Sequence, residues 1–448
     1  MKTLQHVNRV QTQEEPAGLL GYWDSIAITM GIVIGVGIFR VPAQIAEHMT
    51  SPNLFLLAWL AGGIISLLGA LCYAELSSLF PTTGGNYVYL RESYGFLTAF
   101  LFGWTEFLVI RTGSIAAVSF IFAEYLQSFF STNTHLVKPI AISIVVMLSF
   151  LNLFGLRYTK RLQNISTAAK VAALIGIVVF GFLSGKGNSS HFQPVPIKMD
   201  GDIFVLFCLA LVPILWTYGG WHENTFVAGE TRRATRTVPV SLITGILMVI
   251  ILYLAINALY IYLIPLNQIA NADLIGSNAL QILYGIKGRK TFELLIVISS
   301  LGCLNAMIIT GSRVTYAMAE NNAIFKYVGN IHAKYGTPHR AIIINALWTI
   351  GFIAWGTFNQ LLFFTGILVW LFFGLVGGGL FIFRYKFPDQ SRPYKVWGYP
   401  IVPAAFVIIC IALSVNTLIF YPFESFIGLG LALTGIPIFF ISKMKITH

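Results

Sequence analysis

Long apolar runs separated by short polar stretches dominate the chain. The runs are continuous rather than alternating, which excludes barrel strands. Most reach the about 20 residues that a helix needs to cross a hydrocarbon core. Twelve such segments are read at 22–47, 54–80, 96–127, 138–156, 162–184, 203–228, 238–264, 291–319, 341–358, 361–384, 400–421 and 424–442. The predicted fold is an all-α polytopic membrane protein with about 12 transmembrane helices. The first twenty residues are polar, and the first run is too long and too glycine-broken for the apolar stretch of a signal peptide, so no cleavage is expected.

Composition sharpens the class. With 56% apolar and 10% charged residues, an ordinary soluble protein is excluded; 14% aromatics and four cysteines exclude disorder and a disulfide scaffold. The net charge of +11 would suggest a nucleic-acid partner, but its distribution points elsewhere. Of 28 Lys and Arg, nineteen fall on the side that carries both termini, six on the opposite side, and Arg40, Arg111 and Lys170 inside spans. Basic loops are retained in the cytoplasm. Both termini are expected there, in a multi-pass protein of the cell's inner (plasma) membrane, with the lipid bilayer and not nucleic acid as partner.

Glycines break two runs in the middle. Span 1 contains Gly31-Ile32-Val33-Ile34-Gly35-Val36-Gly37, and span 6 contains Trp216-Thr217-Tyr218-Gly219-Gly220-Trp221. Freed backbone groups at membrane depth must be buried in protein or line a cavity. Either cluster alone reads as close helix packing. Both together, five spans apart, predict a 5+5 inverted repeat with discontinuous helices 1 and 6 and an unwound site between them. Thr112-Gly113-Ser114 and Thr310-Gly311-Ser312 are a slight further hint of that symmetry. Exposed N–H groups attract a carboxylate and exposed carbonyls an ammonium. A free α-amino acid carries both.

Charges inside spans are functional candidates. Lys170 lies among small residues in span 5. Snorkelling to the cytoplasmic face is one reading, since only about eight residues separate it from the start of its span. The preferred reading is an amine replacing a bound cation between spans 1, 5 and 8, near Ser299 and Ser300. Glu106 and Arg111 are five apart in span 3, only loosely on one helical face; a mutual ion pair and outside partners are equally open. His222 and Glu223 follow the span 6 break, and either the cavity or helix packing suits them. Glu75 and Glu92 are expected at the cytoplasmic interface, flanking the turn Pro81-Thr82-Thr83-Gly84-Gly85. The four cysteines lie in apolar spans without metal-like spacing, so neither a metal nor a cofactor is expected, and with no phosphate-binding loop there is no sign of direct ATP coupling.

Several stretches carry a resemblance. Ile34-Gly35-Val36-Gly37-Ile38-Phe39, Cys72-Tyr73-Ala74-Glu75-Leu76 leading to Pro81 through Tyr87, Tyr218-Gly219-Gly220-Trp221, Val227-Ala228-Gly229-Glu230, Gly311-Ser312-Arg313 and Arg392-Pro393-Tyr394-Lys395 are similar to the amino acid, polyamine and organocation transporter superfamily over nearly the full chain. The run from Trp104 to Arg111 resembles the L-type amino acid transporters. The resemblance implies a leucine-transporter-type fold. Its first repeat would span 22–184 and its second 203–384, with two added spans at 400–442, an N-terminal cytoplasmic tail at 1–21 and a C-terminal one at 443–448. It implies a substrate carboxylate on the N–H groups of Val36 and Gly37, next to Gly35. The ammonium would lie on the carbonyls of Val33, Trp216 and Gly219, beside Thr217, with Trp216 as an aromatic gate. Lys170 matches the lysine that sodium-independent members place in the cation site.

Two departures leave substrate charge and coupling open: Val36 stands where a small or hydroxylated residue is usual, and His222 where asparagine or glutamate is more common. The loop from Ser128 to Val137 lacks the cysteine through which animal relatives tether a heavy subunit, so no disulfide-linked partner is expected. The sequence reading is a non-enzymatic, sodium-independent exchanger of neutral L-amino acids. A proton-coupled symporter or a carrier of cationic amino acids or polyamines is the alternative, so protons or a counter-transported amino acid are the possible co-substrates. A transport-dead nutrient sensor is the reading from another class.

Overall fold

The computed structural model describes residues 18–49, 51–130, 136–193, 203–270, 275–320, 327–356 and 358–444. Most of the two tails, residues 131–135 of the loop after span 3, and Lys198 and Lys326 among the basic residues lie outside that set. The described chain is helical; its one β feature is an isolated bridge between Leu20 and Thr231. Among the described residues, nine helices are long and apolar enough to cross a membrane, and Val137–Leu153 and His339–Trp355 are shorter apolar helices.

The first expected span is divided. Helix α1 (Tyr22–Val33) starts where Asp24 accepts the Gly21 N–H at 2.8 Å and stops at Ile34; a 3-10 turn at Gly37–Phe39 leads into α2 (Val41–His48). The chain continues through α3 (Pro52–Leu79), the short α4 (Asn86–Tyr94) and α5 (Phe96–Thr105). A π-helical turn at Glu106–Ile110 joins α5 to α6 (Arg111–Phe130). Then come α7 (Val137–Leu153), α8 (Leu156–Leu183) and α9 (Ile203–Thr217), the last leading through a break into a 3-10 helix at Trp221–Glu230. Helices α10 (Ala234–Leu263), α11 (Leu266–Ile269), α12 (Ile275–Glu320), α13 (His339–Trp355), α14 (Phe358–Lys386), α15 (Ile401–Phe420), α16 (Pro422–Leu433) and α17 (Gly435–Met444) complete it.

Two spans depart from the expected outline. Helix α12 begins sixteen residues before the expected 291, because Gly285 at φ 65° joins an added helical piece to it. The expected span at 424–442 is interrupted at Thr434, between α16 and α17.

Burial ranks the spans. In the most apolar stretches of 96–130 and 275–319, 78% of residues are buried, against 22% in that of 422–441. The former pair is the centre, and the last helices turn apolar side chains such as Phe423 and Phe426 outward. Outward apolar residues are what a lipid-facing helix presents.

The sequence motifs pack on one another. The turn at 81–85 lies against the Trp221–Glu230 helix: Gly84 N–H donates to Phe226 O at 3.1 Å, and a Cβ on Gly85, at φ 47°, would meet the Phe226 ring at 2.2 Å. Glycine is needed there for both reasons. Glu75, expected at the cytoplasmic interface, is wholly buried in protein: Arg384 donates to both its oxygens at 2.9 and 2.7 Å, Val396 N–H to one at 2.7 Å, and Arg392 lies 3.2 Å away. Glu92 is half-buried beside Arg91. Arg313 grips Glu230 at 2.9 and 3.2 Å, and the segment before α1 is held against this end by Leu20 N–H to Glu230 O and Arg232 N–H to Leu20 O.

Candidate functional site

At the first break the helix ends inside the protein, and its last carbonyls lose their intrahelical donors. Side chains from three other helices supply replacements. Lys170 Nζ on α8 donates to Gly31 O at 2.6 Å and to Ile34 O at 2.8 Å; Ser299 Oγ on α12 donates to Ile34 O at 3.1 Å. Cys303 Sγ reaches Ile32 O at 3.5 Å, and Tyr253 Oη on α10 donates to Val33 O at 2.6 Å. Lys170 is only 1% exposed, so its amine lies in the interior rather than at a membrane face. Ser300, expected beside it, instead bonds to Ile296 O of its own helix at 2.8 Å.

At the sixth-span break, α9 stops at Thr217. Gly219 N–H donates to Trp216 O at 2.9 Å, and Gly220, at φ 94°, starts the Trp221–Glu230 helix. The two breaks touch. A Cβ on Gly37 would stand 2.7 Å from Thr217 Oγ1, and one on Gly220 would stand 2.3 Å from Ile32 Cγ2. Gly35 is roomier, with Cys303 Sγ 3.5 Å from where its Cβ would be. Val36, Gly37, Arg40, Val41, Gln44, Ile121, Pro213 and Trp216 line a small cavity beside the contact, so four of the seven expected substrate residues lie together at the junction of the breaks.

The remaining charged candidates form a separate centre. Arg111 Nε and Nη2 donate to Glu106 Oε1 at 3.0 and 2.6 Å, and Nη1 to Glu223 Oε2 at 2.6 Å. A regular α-helix would not align residues five apart. The π turn does, by adding one residue to the turn, and Thr112 Oγ1 caps it by donating to Phe107 O at 2.9 Å. Gly311 makes room for the cation, since a Cβ there would lie 2.5 Å from Arg111 Cγ and Cδ. Thr310 Oγ1 lies 2.5 Å from Glu223 Oε2. His222 sits in a ring cage of Tyr73, Trp221, Phe226 and Phe373.

Sequence reasoning missed Tyr253. A tyrosine in an apolar run carries no spacing signal, although its hydroxyl needs a partner when buried. It also missed a polar ladder across spans 4, 5, 8 and 1: Asn152 Nδ2 donates to Asn305 Oδ1 at 3.0 Å, Asn305 Nδ2 to Gln163 Oε1 at 3.4 Å, and Gln163 Nε2 to Ala27 O at 3.2 Å. Of the two Thr-Gly-Ser triplets, the second supplies Thr310 and Gly311 to the Arg111 centre, and the first supplies Thr112, which caps the π turn.

Comparison with known proteins agrees with this architecture. The model of the amino acid permease family matches residues 20–441. The chain is 30% identical over 428 residues to the human (Homo sapiens) cystine/glutamate transporter, covering 93% of this chain and 83% of that one. It is 27% identical over 429 residues to the serine/threonine exchanger SteT of Bacillus subtilis (strain 168), covering 95% and 97%. To the large neutral amino acids transporter small subunit 2 of Mus musculus it is 29% identical over 440 residues, covering 94% and 80%. Its helices are those of a multi-pass membrane protein, and its relatives are transporters rather than enzymes. The chain belongs to the amino acid permease family, within the amino acid, polyamine and organocation superfamily.

Proposed function

We propose that this amino acid transporter is a sodium-independent exchanger of neutral L-amino acids, working by alternating access around the two breaks. The observation that carries the reading is Lys170. Its amine fills the carbonyl cluster of Gly31 and Ile34, with Ser299 alongside, where an alkali cation would otherwise be needed to satisfy those oxygens. Ser300 is then a helix-internal residue rather than part of the coupling group.

The substrate carboxylate would bind the N–H groups of Val36 and Gly37, and its ammonium the carbonyls of Val33, Trp216 and Gly219, under Trp216 and beside Gly35 and Thr217. A carbonyl oxygen has two lone pairs. Val33 O already accepts from Gly35 N–H at 2.7 Å and from Tyr253 at 2.6 Å, so loading the ammonium displaces the tyrosine hydroxyl. Val36, Val41, Ile121, Pro213 and Trp216 make most of the cavity wall apolar, which favours a neutral side chain, with Arg40 and Gln44 completing the lining. Glu106 and Glu223 are committed to Arg111 and Thr310, which weighs against a cationic substrate.

The wider arrangement follows the same reading. Nine long apolar helices, two shorter ones and the divided first segment make twelve spans, arranged as inverted repeats at 22–184 and 203–384 with both termini in the cytoplasm of a cell bounded by this inner membrane. No cysteine between residues 128 and 137 is available to tether a heavy subunit. Uptake of a panel of labelled amino acids into proteoliposomes, with and without internal amino acid, sodium and a pH gradient, tests it. Uptake should require internal amino acid and ignore sodium. Uptake into empty vesicles driven by either ion gradient would sink the exchanger.

A further inference from the structure

We propose that the centre of Glu106, Arg111, Glu223 and Thr310 binds one exchangeable proton, and that this proton gates movement of the Trp221–Glu230 helix. The proposal deepens the exchange reading and rests on it for the substrate.

The charge count comes first. Arg111 carries +1 and the two glutamates −1 each, so the ionised centre is −1 overall, at membrane depth, with Glu106 and Arg111 each 3% exposed, Glu223 4% and Thr310 fully buried. A net buried charge without water or a partner is strongly disfavoured. The neighbouring side chains do not cancel it, and the amino end of the Trp221–Glu230 helix offsets only part of it. From α12 the titratable neighbour is Cys303, a thiol; across it Lys170 is spent on the Gly31 and Ile34 carbonyls. Helix α10 gives the neutral Ser241, bonded to Asn224, and α1 gives Ile32 against Gly220. Helix α3 gives Tyr73, packed on the ring of His222. One proton makes the centre neutral.

The hydroxyl count says where that proton sits. Thr310 has one O–H, yet its oxygen lies 2.9 Å from Ala306 O and 2.5 Å from Glu223 Oε2. Both partners are acceptors when Glu223 is ionised, and one O–H cannot serve both. With the proton on Glu223, the carboxyl donates to Thr310 and Thr310 donates to Ala306. A separate observation points the same way: His222, the residue before Glu223, is buried with Nδ1 lacking a partner, so this turn holds polar atoms that its present packing does not satisfy.

Glu223 is the one ionisable member on a segment with its own hinge. Glu106 and Arg111 belong to the central span, whereas the Trp221–Glu230 helix starts at Gly220 in a left-handed conformation. Loss of the proton leaves −1, which is relieved when that helix swings out and water reaches the carboxylate. Proton uptake restores neutrality and the closed packing. The proton passes between Glu223 and water on the side to which the helix opens; no bond other than O–H forms or breaks.

Two measurements on the full-length protein test this. The first is infrared difference spectroscopy between acid and alkaline buffer. The carbonyl stretch of a protonated carboxylic acid should appear in wild type and H222Q and vanish in E223Q. The second is exchange of neutral L-amino acids, labelled outside and unlabelled inside proteoliposomes, against pH. The rate should vary by up to about tenfold per pH unit in wild type, the slope of a one-proton equilibrium, and stay flat in E223Q. If E223Q does not accumulate, E106Q serves, and its profile must shift. A band and profile unchanged by both variants, or lost in H222Q but kept in E223Q, overturns the proposal. Wild type that carries the band yet exchanges no amino acid would instead overturn the exchange reading and leave the proton centre standing.

Discussion

Lys170 and Arg111 are both buried, and they are held in opposite ways. Lys170 sits on backbone carbonyls alone, while Arg111 sits between two carboxylates. The difference follows from which end of a broken helix each one serves. The first break exposes the carboxyl end of α1, whose partial negative charge and free carbonyls suit a compact three-donor ammonium. The second exposes the amino end of the Trp221–Glu230 helix, where an acid in the first turn is favourable; Glu223 is there. That acid then needs its own counter-charge, and the planar fork of arginine bridges two carboxylates. One break is therefore sealed by donors that neighbouring helices place directly on its carbonyls, the other by a relay through a third span.

The largest expected effect separates the two centres by stability. Arg111→Ala leaves the buried Glu106 and Glu223 without their cation and should cost about 3–5 kcal/mol, the range for breaking a buried pair. Lys170→Ala leaves only neutral carbonyls and should cost about 1–3 kcal/mol, while abolishing transport because the first break loses the donor that holds it. Thermal unfolding in detergent, with uptake in proteoliposomes, reads both. Equal losses of stability, or near-normal uptake by Lys170→Ala, would break the comparison. Next in size, Gly37→Val would push a side chain into Thr217, whose Oγ1 and Cγ2 lie 2.7 and 2.9 Å from the new Cβ. Overpacking of that kind costs about 1–3 kcal/mol, and the stabilisation of the protein by added amino acid should disappear with it. Retained stabilisation would mean the substrate does not sit where the breaks meet.

How much of this was legible depends on the period of the signal. Glycine clusters at mid-span and a lysine among small residues are local features, and each already marks the place where Lys170 and the first break meet. The members of the Arg111 centre were named from the sequence, but their convergence was not legible, for a definite reason. Glu106 and Arg111 share a face only because of the π turn, and nothing in the run from Trp104 to Thr112 announces it, since the Thr112 bond to the carbonyl five residues back exists only once the turn has formed. The burial of Glu75 was hidden for a related reason: its partners Arg384 and Arg392 lie more than three hundred residues away, so their convergence is a property of packing. Tyr253 and the Asn152, Asn305 and Gln163 ladder are invisible for the same cause, single polar residues whose partners come from other spans.

The smallest effects sharpen the comparison most. Ser299→Ala removes a neutral bond to Ile34 O, which Lys170 still satisfies, and should cost about 0.5–1.5 kcal/mol. Thr310→Val removes the hydroxyl beside Glu223. Bonds to charged groups are worth about 1.5–3 kcal/mol, so an ionised Glu223 predicts that Thr310→Val costs clearly more than Ser299→Ala. A Glu223 that carries the proton predicts similar losses, because both variants then delete a bond between neutral groups. Thermal unfolding of the two variants at neutral pH measures the difference, and repeating it at alkaline pH should open a gap between them as Glu223 gives up its proton. A gap already present at neutral pH and constant with rising pH would mean that Glu223 is ionised throughout, and that the Arg111 centre carries its negative charge without a proton.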